Sequence, residues 1–217
     1  MHASLQGLRA HLHAIAPPAR HGHLALDGGA IDHALGGGLT LGALHSIEGQ
    51  AIQVETGAAP AWFAASLLRH IPGTAPLFWV AQTTDLYPPG LTTLNLDPAR
   101  LIHIRTIAED ETLAVTETLL RSGASAAVVA EAGRIARLAG HRLQMAALSH
   151  GTTCFLLRRF PWGSPPQADT ITAAVTSWRI TPAPSLTQTT TRRPPPGPPR
   201  LHCALLHART APPASGI

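Results

Sequence analysis

Residues 39–71 read LTLGALHSIEGQAIQVETGAAPAWFAASLLRHI, and the fold of the chain turns on them. Ala43 to Ile47 is short and apolar and lies between glycine-bearing turns, which predicts a strand. Glu48-Gly49 opens a loop. From about Ala58 the run carrying Trp62, Phe63, Leu67 and Leu68 predicts a helix, which ends before Pro72-Gly73. Strand, glycine loop and helix in that order form the layout that cradles phosphate, because loop N–H groups and a helix N-terminus converge on the anion.

The residues that would hold the phosphate are missing. A working loop, G-x-x-x-x-G-K-[ST], needs glycines for close backbone approach, a lysine on the phosphates and a hydroxyl on magnesium. Here Gly49 is followed by QAIQVETGAAPAW, Gly57 is trailed by Ala58-Ala59, and the chain contains no lysine at all. Glu48 and Glu55 would also place negative charge where a triphosphate should sit. The expectation is a nucleotide-binding scaffold without nucleotide hydrolysis: a degenerate loop at Gly49 and Gly57, no cofactor and no enzyme.

Working outward, Gly36-Gly37-Gly38 predicts a turn before the strand, and Asp32 to Leu35 a short helix ahead of it. Leu5, Leu8, Leu12 and Ile15 fall at helical spacing behind Ser4, an amphipathic arm that either packs on the body or docks on another subunit. Downstream, Pro76 to Ala81, Leu101 to Ile104, Ala126 to Ala130 and Thr152 to Leu157 are apolar runs of the kind found in strands covered on both faces. A turn and a short helical piece are expected around Pro88-Pro89-Gly90. Helices are expected over Ala108 to Ser122, with acids at its start and Gly123 at its end, and over Arg134 to His150. This alternation implies an α/β fold, a mostly parallel sheet with helices on both faces. Ser177 to Thr181 alternates like an edge strand that Leu201 to Leu206 would pair with. The Pro- and Thr-rich stretch between them reads as a linker or long loop.

With 217 residues there is room for one principal domain plus appendages. Cys154 and Cys203 each lie in an apolar stretch and read as buried small hydrophobes of a reducing compartment. No apolar run is long enough to span a membrane and no continuous apolar signal region opens the chain, so a cytoplasmic location is expected. Histidine is abundant, 13 in all, but no cysteine or acidic ligand stands at zinc-like spacing beside the pairs His11/His13 and His21/His23, so no metal is expected. Residues 1–131 hold 6 arginines against 11 acids; residues 132–217 hold 10 arginines against Asp169 alone. That −5 followed by +9 marks the second half as a surface for nucleic acid or an acidic partner, or else reflects compositional bias.

The segment LDGGAIDHALGGGLTLGALHSIEG resembles the approach to the nucleotide site in the RecA recombinase family, and LNLDPARLIHIRTIAEDETLAVTETLLRSGASAAVVAEAGRI is similar in order and spacing to that family's following strand, helix and strand. Together they cover roughly residues 26–157. Ala81-Gln82-Thr83 offers no carboxylate where that family carries its water-activating glutamate, and the strand ending at Ala130 has alanine where an aspartate would hold magnesium, with Glu131 as its neighbour. With RLQMAALSHGTTCFLLRR, SWRITPAPS and a final short strand, the whole pattern resembles the ImuA family. Those proteins are encoded in bacterial damage-inducible mutagenesis cassettes with ImuB, a polymerase-like protein, and an error-prone polymerase. The implied organisation is an arm and linker over residues 1–25, a RecA-like core over 26–181, a linker over 182–199 and a strand and tail over 200–217.

The resemblance implies a non-catalytic accessory role in translesion DNA synthesis, through contacts with ImuB and with RecA or the error-prone polymerase. Two other readings stay open: an inhibitor of cell division acting on FtsZ, and a residual ATP-binding DNA repair protein. Arg134, Arg137, His141 and Gln144 share one face of the predicted helix, which is either a DNA phosphate contact or a solvated surface. Arg158, Arg159 and Trp162 form either a partner hot spot or a strand end with a packed indole. Arg192-Arg193-Pro-Pro-Pro either binds a partner in extended form or is solvated linker.

Overall fold

The computed structural model describes residues 22–26, 29–49, 58–83, 86–133, 135–158, 173–185, 197, 199–209 and 214–216. Among them the chain runs β1 (His23–Leu24), α1 (Ala30–Ala34), β2 (Leu39–Thr40), β3 (Leu44–Gly49), α2 (Ala58–Leu68), β4 (Leu77–Ala81) and α3 (Pro88–Thr92). A 3-10 turn (Pro98–Arg100) leads into β5 (Leu101–Arg105), α4 (Glu109–Ser122), β6 (Ala127–Glu131), α5 (Arg137–His150) and β7 (Thr153–Arg158). The chain then forms β8 (Thr176–Ala183), β9 (Arg200–Ala208) and β10 (Ala214–Gly216). Eight strands make one sheet in the order β10-β9-β8-β3-β7-β6-β4-β5. Every neighbouring pair from β8 to β5 is parallel, and β9 and β10 extend the sheet antiparallel. This is the α/β class expected, and it is consistent with the RecA-like core that the resemblance implies.

Side-chain alternation splits the sheet's two faces into two cores. Ile47, Trp79, Val129, Phe155, Leu157, Trp178 and Ile180 pack with Phe63, Leu67 and Leu68 of α2. Leu44, Val80, Val128, Ala130, Cys154 and Leu156 pack with Leu120 of α4 and Leu143, Ala146 and Ala147 of α5. Each large side chain so removed from water contributes about 1.5–3 kcal/mol. The Phe63 and Trp178 rings meet at 5.9 Å with planes tilted 47°, which ties α2 to β8.

Local chemistry sets the element ends. Glu109, Asp110 and Glu111 fill the first turn of α4, the Glu111 carboxylate accepts from the Ile107 N–H at 2.8 Å, and Gly123 ends the helix at φ 66°. Gly38 must be glycine: at φ 121° an added Cβ would lie 2.2 Å from the Leu24 carbonyl oxygen, where β1 and β2 pair.

Three expectations are corrected. Ser177 to Thr181 is not an edge: β8 lies between β3 and β9, although its pairing with β9 is as expected. Its alternation arises because Trp178 and Ile180 enter the α2-side core while Arg179 points to the other face and is exposed. Second, α5 begins at Arg137, because Ala136 is its extended cap and Ile135 packs against the α4/α5-side core. Third, Pro88-Pro89-Gly90 is the body of α3 itself, its prolines occupying the first turn, where a missing N–H costs nothing. The N-terminal arm and most of residues 182–199 lie outside the described residues.

Candidate functional site

Open parallel sheets bind ligands at the carboxyl ends of their strands. Here those ends are Glu48-Gly49 of β3, Ala81 of β4, Arg105 of β5, Glu131 of β6, Arg158 of β7 and the middle of β8. Because Ile47 belongs to the α2-side core, Glu48 faces the α4/α5 side. The strand register sets Glu48 opposite Arg158 on one flank and Arg179 on the other. Arg179 Nη2 and Nε donate to Glu48 Oε1 at 2.7 and 3.1 Å, and Arg158 Nη1 donates to Glu48 Oε2 at 3.4 Å. The Arg158 side chain is 5% exposed and that of Arg179 46%, so the row runs from the interior to water. This corrects the expected role of Glu48: its carboxylate is held by two guanidiniums on the face away from α2, not presented to a triphosphate at that helix.

Glu131 is the residue that sequence reasoning placed one step too far along. It ends β6 within the strand, not beyond it. Ala130 faces the α4/α5-side core, so Glu131, one residue on, faces α2. There its Oε1 accepts from the Trp79 indole Nε1 at 2.6 Å, and the side chain is buried. The signal was present in the strand periodicity, since Val129 and Glu131 must share a face and a buried indole N–H needs an acceptor.

Lower on β3, His45 is wholly buried among uncharged contacts. Its Nε2–H donates to the Thr40 carbonyl at 2.8 Å, which leaves Nδ1 to accept from the Thr176 hydroxyl at 2.8 Å. Thr176 in turn accepts from the Trp178 indole at 2.7 Å. Burial lowers the His45 pKa from 6.5 to about 4, so the ring is neutral and structural.

Of the expected site residues, Gly49 ends β3, Arg137 and His141 are exposed one turn apart on α5, and Arg158 is turned inward onto Glu48. Gln144, expected on the face of Arg137 and His141, is buried, and its Oε1 accepts from the Leu44 N–H at 2.7 Å, holding α5 to the start of β3. Gly57, Arg134, Arg159, Trp162, Arg192 and Arg193 lie outside the described residues. Both cysteines are free thiols; Cys154 is buried and burial pushes its thiol up to about 12. Among the described residues no helix is long and apolar enough to cross a membrane, and no group of three or more His, Cys, Asp or Glu could hold a metal ion.

No family model matches the chain. Two curated relatives do, each described as Protein ImuA, from Caulobacter vibrioides strains NA1000 / CB15N and ATCC 19089 / CIP 103742 / CB 15. Each is 39% identical over 193 residues, covering 84% of this chain and 76% of the relative. Identity at that level extends over most of both chains and not over one shared motif. The chain belongs to the ImuA family.

Proposed function

We propose that this protein is a non-catalytic accessory factor of damage-induced mutagenesis, acting as an adaptor for translesion DNA synthesis through contacts with an ImuB-type polymerase homologue and with RecA. The observation that carries the reading is the relationship to the Caulobacter ImuA proteins over 193 residues. The strand ends support its non-catalytic part: Glu48 is tied to Arg158 and Arg179, Glu131 accepts from Trp79, and no lysine exists in the chain to hold a phosphate.

Co-purification of the full chain with the ImuB-type protein after co-expression tests the adaptor role; failure to recover a complex by size-exclusion chromatography would refute it. A second reading, residual nucleotide binding, draws on Glu131, an acid that ends β6 on the α2 side. Titration calorimetry with ATP and magnesium separates the two, since binding at a micromolar level favours the second.

A further inference from the structure

Between α3 and β5, the last strand of the sheet, the surface opens into a pocket of about 230 Å³ lined by Leu86, Pro88, Leu91, Pro98, Leu101 and His103. That volume falls below the roughly 300–1,000 Å³ of sites for whole small molecules. It exceeds the roughly 150 Å³ that is enough to hold a benzene ring. The pocket therefore has the size of one aromatic side chain. His103 supplies its polarity: the Nε2 atom is buried and has no hydrogen-bond partner among the described residues, which costs free energy until a partner arrives. The second side-chain torsion of histidine is broad, so the ring can turn this nitrogen toward the pocket. An imidazole nitrogen donates or accepts according to tautomer, and a hydroxyl answers either. A phenol, apolar in body and polar at its tip, matches both features.

The chain contains one tyrosine, Tyr87, and it is 71% exposed. It stands between two of the lining residues, Leu86 and Pro88, with extended backbone at φ −93° and ψ 102°. Extended backbone sends its ring to the side opposite its neighbours, so Tyr87 does not fill its own pocket. We propose that it fills the pocket of a second copy: two chains meet about a two-fold axis beside α3, each placing its Tyr87 ring in the other's pocket with the hydroxyl on His103 Nε2. Ring and pocket adjoin on one chain, so a single two-fold contact satisfies both at once, which is the self-complementarity that an isologous interface requires. The charged residues beside the lining, Asp97, Arg100 and Arg105, carry both signs and present no one-sign barrier. A contact of this size makes a weak, exchanging pair. The inference goes beyond the adaptor reading and does not depend on it.

The test uses the full chain with fluorotyrosine in place of its one tyrosine, so that a single fluorine resonance reports Tyr87. The protein is diluted from near-millimolar to micromolar and followed in parallel by sedimentation velocity. The expected result is a monomer–dimer equilibrium in which the resonance shifts in step with the dimer fraction. Tyr87→Ala should weaken the dimer about a hundredfold, about tenfold for each of the two rings lost. Tyr87→Phe should weaken it less, because only the hydroxyl goes. His103→Trp, which fills the pocket, should also prevent pairing, yet its equimolar mixture with Tyr87→Ala should associate more than either alone, since one ring still meets one open pocket. Because Tyr87 is exposed, its own variants should melt as wild type does, and they carry the test even where His103→Trp fails to fold. A chain that sediments as a monomer at every concentration, a dimer indifferent to Tyr87→Ala, or a resonance that ignores dimer formation would each overturn the proposal. So would a monomer whose Leu91 methyl groups respond to N-acetyltyrosine amide, which would assign the pocket to a tyrosine of another protein.

Discussion

His45 makes the fold acid-sensitive in a window that can be worked out. In the folded chain its pKa is near 4, lowered by burial from 6.5, and its contacts are Thr40, Thr176 and the Phe155 ring, none of them charged. The unfolded chain therefore binds a proton at His45 that the folded chain refuses between those two values. The stability this group contributes is intact above pH 6.5 and is lost as pH falls toward 4. At pH about 4.5 the linkage amounts to roughly 2–3 kcal/mol, on the order of 5–10 °C in Tm for a chain of this size. Urea unfolding followed by tryptophan fluorescence across this range should show the loss in wild type and a flattened slope in His45→Gln, whatever the variant's stability at neutral pH. Identical slopes in the two proteins would refute the assignment of a neutral, buried His45.

Three further outcomes follow from the packing. Glu48→Ala removes one ion-pair partner of the buried Arg158 guanidinium and should cost more in urea unfolding than Arg179→Ala, which is half exposed and should cost under about 1 kcal/mol; equal costs would contradict the burial order. Gly38→Ala drives a methyl into the Leu24 carbonyl at a φ of 121° and should lower Tm by several degrees, as about 1–3 kcal/mol of strain requires; an unchanged melting curve would contradict the β1–β2 geometry. Arg137→Ala with His141→Ala, both exposed on α5, should leave stability within about 0.5 kcal/mol of wild type. Fluorescence anisotropy on labelled DNA then tells the solvated surface from the phosphate contact: only the latter reduces both affinity and its salt slope.

Much of the architecture was legible because it depends on local chemistry. Three acids, an apolar repeat and Gly123 specify α4 to within a residue, and the continuous apolar runs at β4, β6 and β7 announce strands covered on both faces. The missing lysine and the resemblance to ImuA proteins were likewise present in the residue order, and the 39% identity to the Caulobacter proteins agrees with that resemblance. What the order of residues does not carry is which strands become neighbours. Glu48 meets Arg158 and Arg179 across separations of 110 and 131 residues, and only the placement of β3 between β7 and β8 turns three scattered charges into one bonded row. The same placement moves β8 from an edge to the interior. It also buries His45 beneath Thr176, which makes a histidine that would titrate near neutrality in water a neutral structural group. Periodicity assigns a side chain to a face of its own strand; register and strand order, set by how two cores close on one sheet, decide what it meets there.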